Sequence, residues 1–100
     1  MTNSVNVAYA NGWLGTALQR QGKFEESDRL QRHSLEAKRR LLPADHPAIG
    51  WHLFYWAISF EARHNYAECQ ALLTEAWNIA ERHQTESVHL KHTIALYGRD

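Results

Sequence analysis

Asn11-Gly12-Trp13-Leu14-Gly15-Thr16-Ala17-Leu18 decides how this chain reads, because Leu53-Phe54-Tyr55-Trp56-Ala57-Ile58-Ser59-Phe60 repeats its pattern 42 residues later. Leu14-Gly15 falls on Trp56-Ala57, a large residue followed by a small one, and Leu18 falls on Phe60. The same offset lays Gly22-Lys23-Phe24 on His64-Asn65-Tyr66 and Ser27 on Cys69, while Glu26, Leu30 and Arg40 recur unchanged as Glu68, Leu72 and Arg82. The match is one of size and type more than of identity. A period of this length marks a unit that cannot bury its apolar face alone and is stabilised by neighbours.

Working outward, the apolar positions follow helical spacing throughout. Val7, Ala10, Leu14, Ala17 and Leu18 form one stripe, ended by Gly22 in the position a helix C-terminus favours. A second run extends from Phe24 through Leu30, Ser34, Ala37 and Leu41 and stops before Pro43. Asp45-His46-Pro47 then predicts a helix start, with Asp45 as N-cap and proline in the first turn. Ile49, Leu53, Trp56, Ala57 and Phe60 make the third helix. After the break at His64-Asn65, a fourth runs through Tyr66, Cys69, Leu72, Leu73, Ala76 and Ile79. Thr85 to Ser87 is a polar gap before a last helix from Val88 to about Tyr97. No stretch alternates with period two, so no sheet is expected. Short connections make neighbouring helices antiparallel. Small residues at Gly15/Ala57 and Ser27/Cys69 let the helices of each hairpin approach closely.

At these residues the chain resembles the tetratricopeptide repeat family, whose signature pairs Leu-Gly in the first helix with a small residue in the second. Here that signature reads Asn11-x-x-Leu14-Gly15-x-x-Leu18 with Ser27, and Leu53-x-x-Trp56-Ala57-x-x-Phe60 with Cys69. The 42-residue spacing and Asp45-His46-Pro47 are similar to the longer, kinesin-light-chain-like class. The resemblance implies a single all-α domain over 1–100, built of antiparallel hairpins stacked as a short right-handed superhelix. Repeat 1 spans about 5–42, repeat 2 about 46–83, and a capping or partial third-repeat helix about 88–97. There are departures. Gln31 and Leu73 stand where the second helix usually has an aromatic, and Arg39 and Glu81 replace the terminal proline of the shorter repeat. Gly12-Trp13 and Phe54-Tyr55 replace the asparagines that commonly hold peptide. No set of lysines and asparagines clamps a terminal carboxylate.

Composition excludes several function classes. Lys plus Arg and Asp plus Glu are equal at 11 each, which argues against nucleic acid and anionic membrane as partners. The acids of the second helix gather at its start and the bases at its end, as the helix dipole favours. A lone cysteine, no signal-peptide pattern in the first ten residues and no long apolar run lead to a cytoplasmic expectation. His89 and His92 share a helix face, but no further metal ligand converges on them in sequence. Cys69 occupies a hairpin seam, where a buried thiol is inert. Glu25-Glu26 faces solvent, and the five glycines are too scattered for a phosphate loop. No catalytic residue, metal or cofactor is expected, and the chain is read as a non-enzyme.

What remains is recognition of protein. In such arrays the first helix of each hairpin lines the concave side. Tyr9, Trp13, Thr16 and Arg20 share one face of the first helix, and Trp51, Tyr55, Ile58 and Ala62 are their equivalents on the third, with Phe54 adjacent. Trp and Tyr anchor protein interfaces by burying large area at little rotamer cost. Tyr9, Trp13, Arg20, Trp51, Phe54, Tyr55 and Ile58 are therefore the candidate residues for a peptide or helix of a partner protein, with Arg20 and Glu61 polar at the rim. Two rival readings use the same aromatics. One packs them against the fifth helix. The other spends them on a homodimer, or on the next repeats of a longer array.

Overall fold

A computed structural model describes residues 5–83 and 88–97, which form five α-helices and no strand. They are α1 (Val5–Arg20), α2 (Phe24–Leu41), α3 (Pro47–Ala62), α4 (Tyr66–Arg82) and α5 (Val88–Tyr97). The chain divides into two compact units, Met1–Ala44 and Asp45–Asp100. α1 packs on α2 in the first; α4 packs on α3, and α5 on both, in the second. The polar gap from Thr85 to Ser87 lies outside the described residues.

Both hairpins turn in the same way. Gly22 has φ +82° and His64, its 42-residue equivalent, has φ +63°. The amide of Lys23 reaches back to the Leu18 carbonyl at 2.9 Å, and that of Asn65 to the Phe60 carbonyl at 2.9 Å. The Gly22 and His64 amides donate to Gln19 and Glu61 carbonyls. This pair of bonds satisfies the last carbonyls of each first helix while reversing the chain. Asn65 then caps α4, its side-chain oxygen accepting from the Glu68 amide at 3.4 Å.

The α3 start differs from the sequence expectation. His46, not Asp45, is the N-cap, with Nδ1 accepting from the Ala48 amide at 3.0 Å. Asp45 instead places Oδ1 3.3 Å from Nε2 of His83, at the C-cap of α4. The carboxylate thus lies beside the imidazole where α4 ends.

The two seams are built from different chemistry. In the second unit, Ile49, Leu53 and Ala57 of α3 meet Cys69, Ala76, Ile79 and Ala80 of α4, and Leu90 and Ile94 of α5 close the core. At Gly50 the Leu90 side chain of α5 lies close against α3: a Cβ there would be 2.8 Å from Leu90 Cδ2. In the first unit the buried residues of α2 are Ser27, Gln31, Ser34 and Lys38, with Leu35 the one apolar side chain among them. Ser27 Oγ donates to the Gly15 carbonyl at 2.7 Å and Ser34 Oγ to the Ala8 carbonyl at 2.6 Å. Gln31 Nε2 donates to the Gly12 carbonyl at 3.3 Å and to Thr16 Oγ1 at 3.2 Å. Ala8, Gly12 and Gly15 bring the α1 backbone close enough for these bonds. The apolar stripe of α1 is not its packed face. Val7, Ala10, Leu14 and Ala17 are exposed, because the small residues Ala8, Gly12 and Gly15, on nearly the opposite side of the helix, bring α2 to their own side.

Candidate functional site

On α1, the face expected to meet a partner is open at its centre. Trp13 is 60% exposed, and Arg20, in the last turn, is exposed as well. Tyr9 is half-buried, with the Lys38 ammonium 4.7 Å from its ring centroid. A cation over the ring face is attracted by the aromatic quadrupole. Burial lowers the Lys38 pKa from 10.5 to about 8. The hairpin seam therefore holds one face of the Tyr9 ring.

On α3, the equivalent residues form a packed aromatic shelf. Trp51 stacks on Tyr55 with centroids 5.8 Å apart and tilts against His89 of α5 at 5.5 Å. Trp51, Tyr55 and Ile58 are all half-buried. Phe54 departs from its expected place. It is 4% exposed, with Tyr97 of α5 edge-on at 5.6 Å and Trp51 at 6.1 Å. Its burial under α5 makes it part of the support of the shelf, not its surface. For Phe54, and in part for Trp51, the fifth helix supplies the cover that one rival reading foresaw.

Glu61, expected at a polar rim, accepts a hydrogen bond from Tyr97 Oη at 2.9 Å. Burial first, and the Glu61 hydrogen bond second, push the Tyr97 pKa well above the phenol's ordinary value. The contact pins the end of α5 to α3. Cys69 is buried on α4, and burial together with the Glu61 charge raises its thiol pKa, keeping it protonated at neutral pH. A thiol so held is a poor nucleophile.

Four histidines have contacts local to the fold. His46 caps α3, His83 pairs with Asp45, His64 Nδ1 lies 2.9 Å from the Tyr66 hydroxyl, and His52 stands edge-on to Trp56. Among the described residues no group of three His, Cys, Asp or Glu is arranged to hold a metal ion. No described helix is long and apolar enough to cross a membrane.

One concavity escaped the sequence reading. A groove of about 440 Å³ runs between α4 and α5, lined by Tyr66, Leu73, Trp77 and Ile94 above Cys69. The Lys91 ammonium sits 5.1 Å from the Trp77 ring and 3.1 Å from a Glu81 oxygen at one end. Only the apolar character of Leu73 and Trp77 on α4 hinted at it, since spacing alone does not place α5 alongside.

No curated protein and no solved structure matches the chain. The family model for the tetratricopeptide repeat, however, matches residues 6–85, a span holding both hairpins with their left-handed turns and small-residue seams. This chain belongs to the tetratricopeptide repeat family.

Proposed function

We propose that this chain is a protein-interaction module whose two hairpins each present an aromatic helix face, α1 in the first unit and α3 in the second, to a peptide or helix of a partner. Tetratricopeptide repeats generally mediate protein–protein contacts and are typically not enzymes. The observation that carries the finer reading is Trp13, a large indole left 60% exposed at the centre of a helix face with Tyr9 and Arg20. An exposed tryptophan is costly in water and is the residue type most enriched at interface hot spots. The Trp51–Tyr55 stack offers the same positions in the second hairpin, already ordered by His89, so little rotamer freedom is lost on binding. Phe54 supports this surface from inside. The 42-residue period and the Asp45-His46-Pro47 turn support the kinesin-light-chain-like class, and the Asp45–His83 contact gives that turn a structural role. With balanced charge, neither nucleic acid nor membrane is a partner in this reading, and the setting is cytoplasmic.

The test is to select peptides on the full chain from a displayed library and measure their affinity by fluorescence anisotropy. Trp13→Ala and Tyr55→Ala are each expected to weaken the selected peptides roughly ten-fold or more, the usual hot-spot scale, with helix content unchanged. Glu26→Ala, on the exposed side of α2, should leave affinity alone. Equal affinity for wild type and both aromatic variants would remove these residues from the site.

A second reading, self-association, is favoured by a different surface. Leu14 is 51% exposed, and Ala10 and Ala17 beside it also face outward. A second copy, or a further hairpin, covering this stripe would complete the packing of α1. Light scattering over a concentration series should show a mass above one chain that Leu14→Lys returns to one chain. A single-chain mass for wild type at every concentration would count against it.

A further inference from the structure

The two hairpins are equivalent in sequence position and opposite in the chemistry that holds them. Shifted by 42, Ser27, Gln31, Ser34 and Lys38 become Cys69, Leu73, Ala76 and Ala80. Among the described residues, the enclosed apolar side chains of the first unit are Ala8 and Leu35, whereas the second encloses Ile49, Leu53, Phe54, Ile79, Leu90 and Ile94 among others. Burial of apolar surface is the main driving force for folding. Hydrogen bonds such as Ser27 to Gly15 and Ser34 to Ala8 replace bonds the same groups make to water, and add little net stability. The carbonyls they meet already lie within a helix. The seam also encloses Lys38, whose charged form is disfavoured by burial.

We propose that the first hairpin opens and closes as a unit of its own while the second stays folded, the polar seam of Ser27, Gln31, Ser34 and Lys38 being what makes it separable. Polar partners specify the closed geometry closely yet hold it weakly, so opening returns satisfied groups to water at small cost. Units of low local stability open independently of the global transition. Closure places Tyr9 over Lys38 and orders the α1 face that carries Trp13 and Arg20. A partner seated on that face therefore stabilises the closed state by mass action. This consequence rests on the interaction reading above; the opening itself does not.

Hydrogen exchange on the full chain without any partner, read by mass spectrometry at neutral pH, tests the opening apart from the binding. Amides of α1 and α2 should exchange at least about ten-fold faster than those of α3 and α4, as expected for separate opening units. Ser34→Ala, which removes the bond to Ala8, should speed exchange in α1 and α2 alone. Lys38→Met, which keeps the stem over Tyr9 and removes the charge, should slow it there alone. Equal protection of the two hairpins, or variants that move both in step, would overturn the proposal. So would a Lys38→Met chain whose first hairpin exchanges no more slowly than wild type. Failure of the peptide selection would leave each of these outcomes unchanged.

Discussion

Gly22 and His64 take the same left-handed turn with different side chains, and that contrast separates backbone cost from contact. A Cβ at Gly22 would meet nothing within 4 Å, yet φ is +82°. The penalty of Gly22→Ala is therefore one of backbone conformation, about 1 kcal/mol. His64 already bears that cost at φ +63°, offset only in small part by its 2.9 Å contact with the exposed Tyr66 hydroxyl. An exposed hydrogen bond contributes little, so His64→Gly should raise stability by roughly 0.5 kcal/mol, the unfolded-state entropy of glycine taking back part of the gain. Urea unfolding of the two variants checks both signs. A His64→Gly chain less stable than wild type would show that the His64–Tyr66 contact outweighs the turn. Gly22 was legible in sequence, because a glycine after an amphipathic run reads as a helix end. His64 was legible only through the 42-residue offset, since histidine carries no such signal.

At the scale of elements, the helix boundaries were readable because caps, glycines and prolines punctuate the apolar runs. The faces were harder. α1 carries Val7, Ala10, Leu14 and Ala17 on one stripe, and periodicity alone points that stripe inward. The structure packs nearly the opposite face, because Ala8, Gly12 and Gly15 permit an approach that serine and glutamine donors of α2 complete. Close contact between backbones is set by what is missing from a side chain, which hydrophobic spacing does not weigh. The same logic explains Gln31. Against the family pattern it is the wrong residue for an aromatic position, but its amide fills the space beside Gly15, where a Cβ would lie 3.0 Å from Nε2. On α3, apolar residues run nearly all round the helix, and both α4 and α5 pack against it. Sequence could not say which aromatics α5 would cover. That depends on the angle at which Leu90 enters beside Gly50 and Tyr97 reaches Glu61, a matter of tertiary approach. Trp13 and Arg20 remain on the surface as read, and Phe54 does not.

For the molecule as a whole, the different seams imply that alkaline pH acts on the two units with opposite sign. Lys38 has its folded pKa lowered to about 8 from 10.5. Between those values the unfolded chain binds the proton and the folded one does not, so the stability of the first unit rises with pH across that window. Cys69 and Tyr97 go the other way. Burial and Glu61 raise both above their ordinary values of 9.0 and 10.0, so the folded state keeps protons that the unfolded chain releases. The second unit accordingly loses stability as pH climbs through 9 and then 10. Thermal melts of wild type and variants between pH 8 and 10.5 separate the contributions. The lead of Lys38→Met over wild type should be largest at the lower end and shrink towards the upper end, where the native amine is already neutral. Tyr97→Phe and Cys69→Ala should each start lower, through a lost hydrogen bond or a small cavity, but fall less steeply with pH than wild type. Tryptophan emission can follow the second unit alone in a Trp13→Phe background, since the other three tryptophans, Trp51, Trp56 and Trp77, all lie within it. A constant lead for Lys38→Met across the range would mean its ammonium is well solvated in the folded state. The seam of the first hairpin would then lack the charge that distinguishes it most from the second.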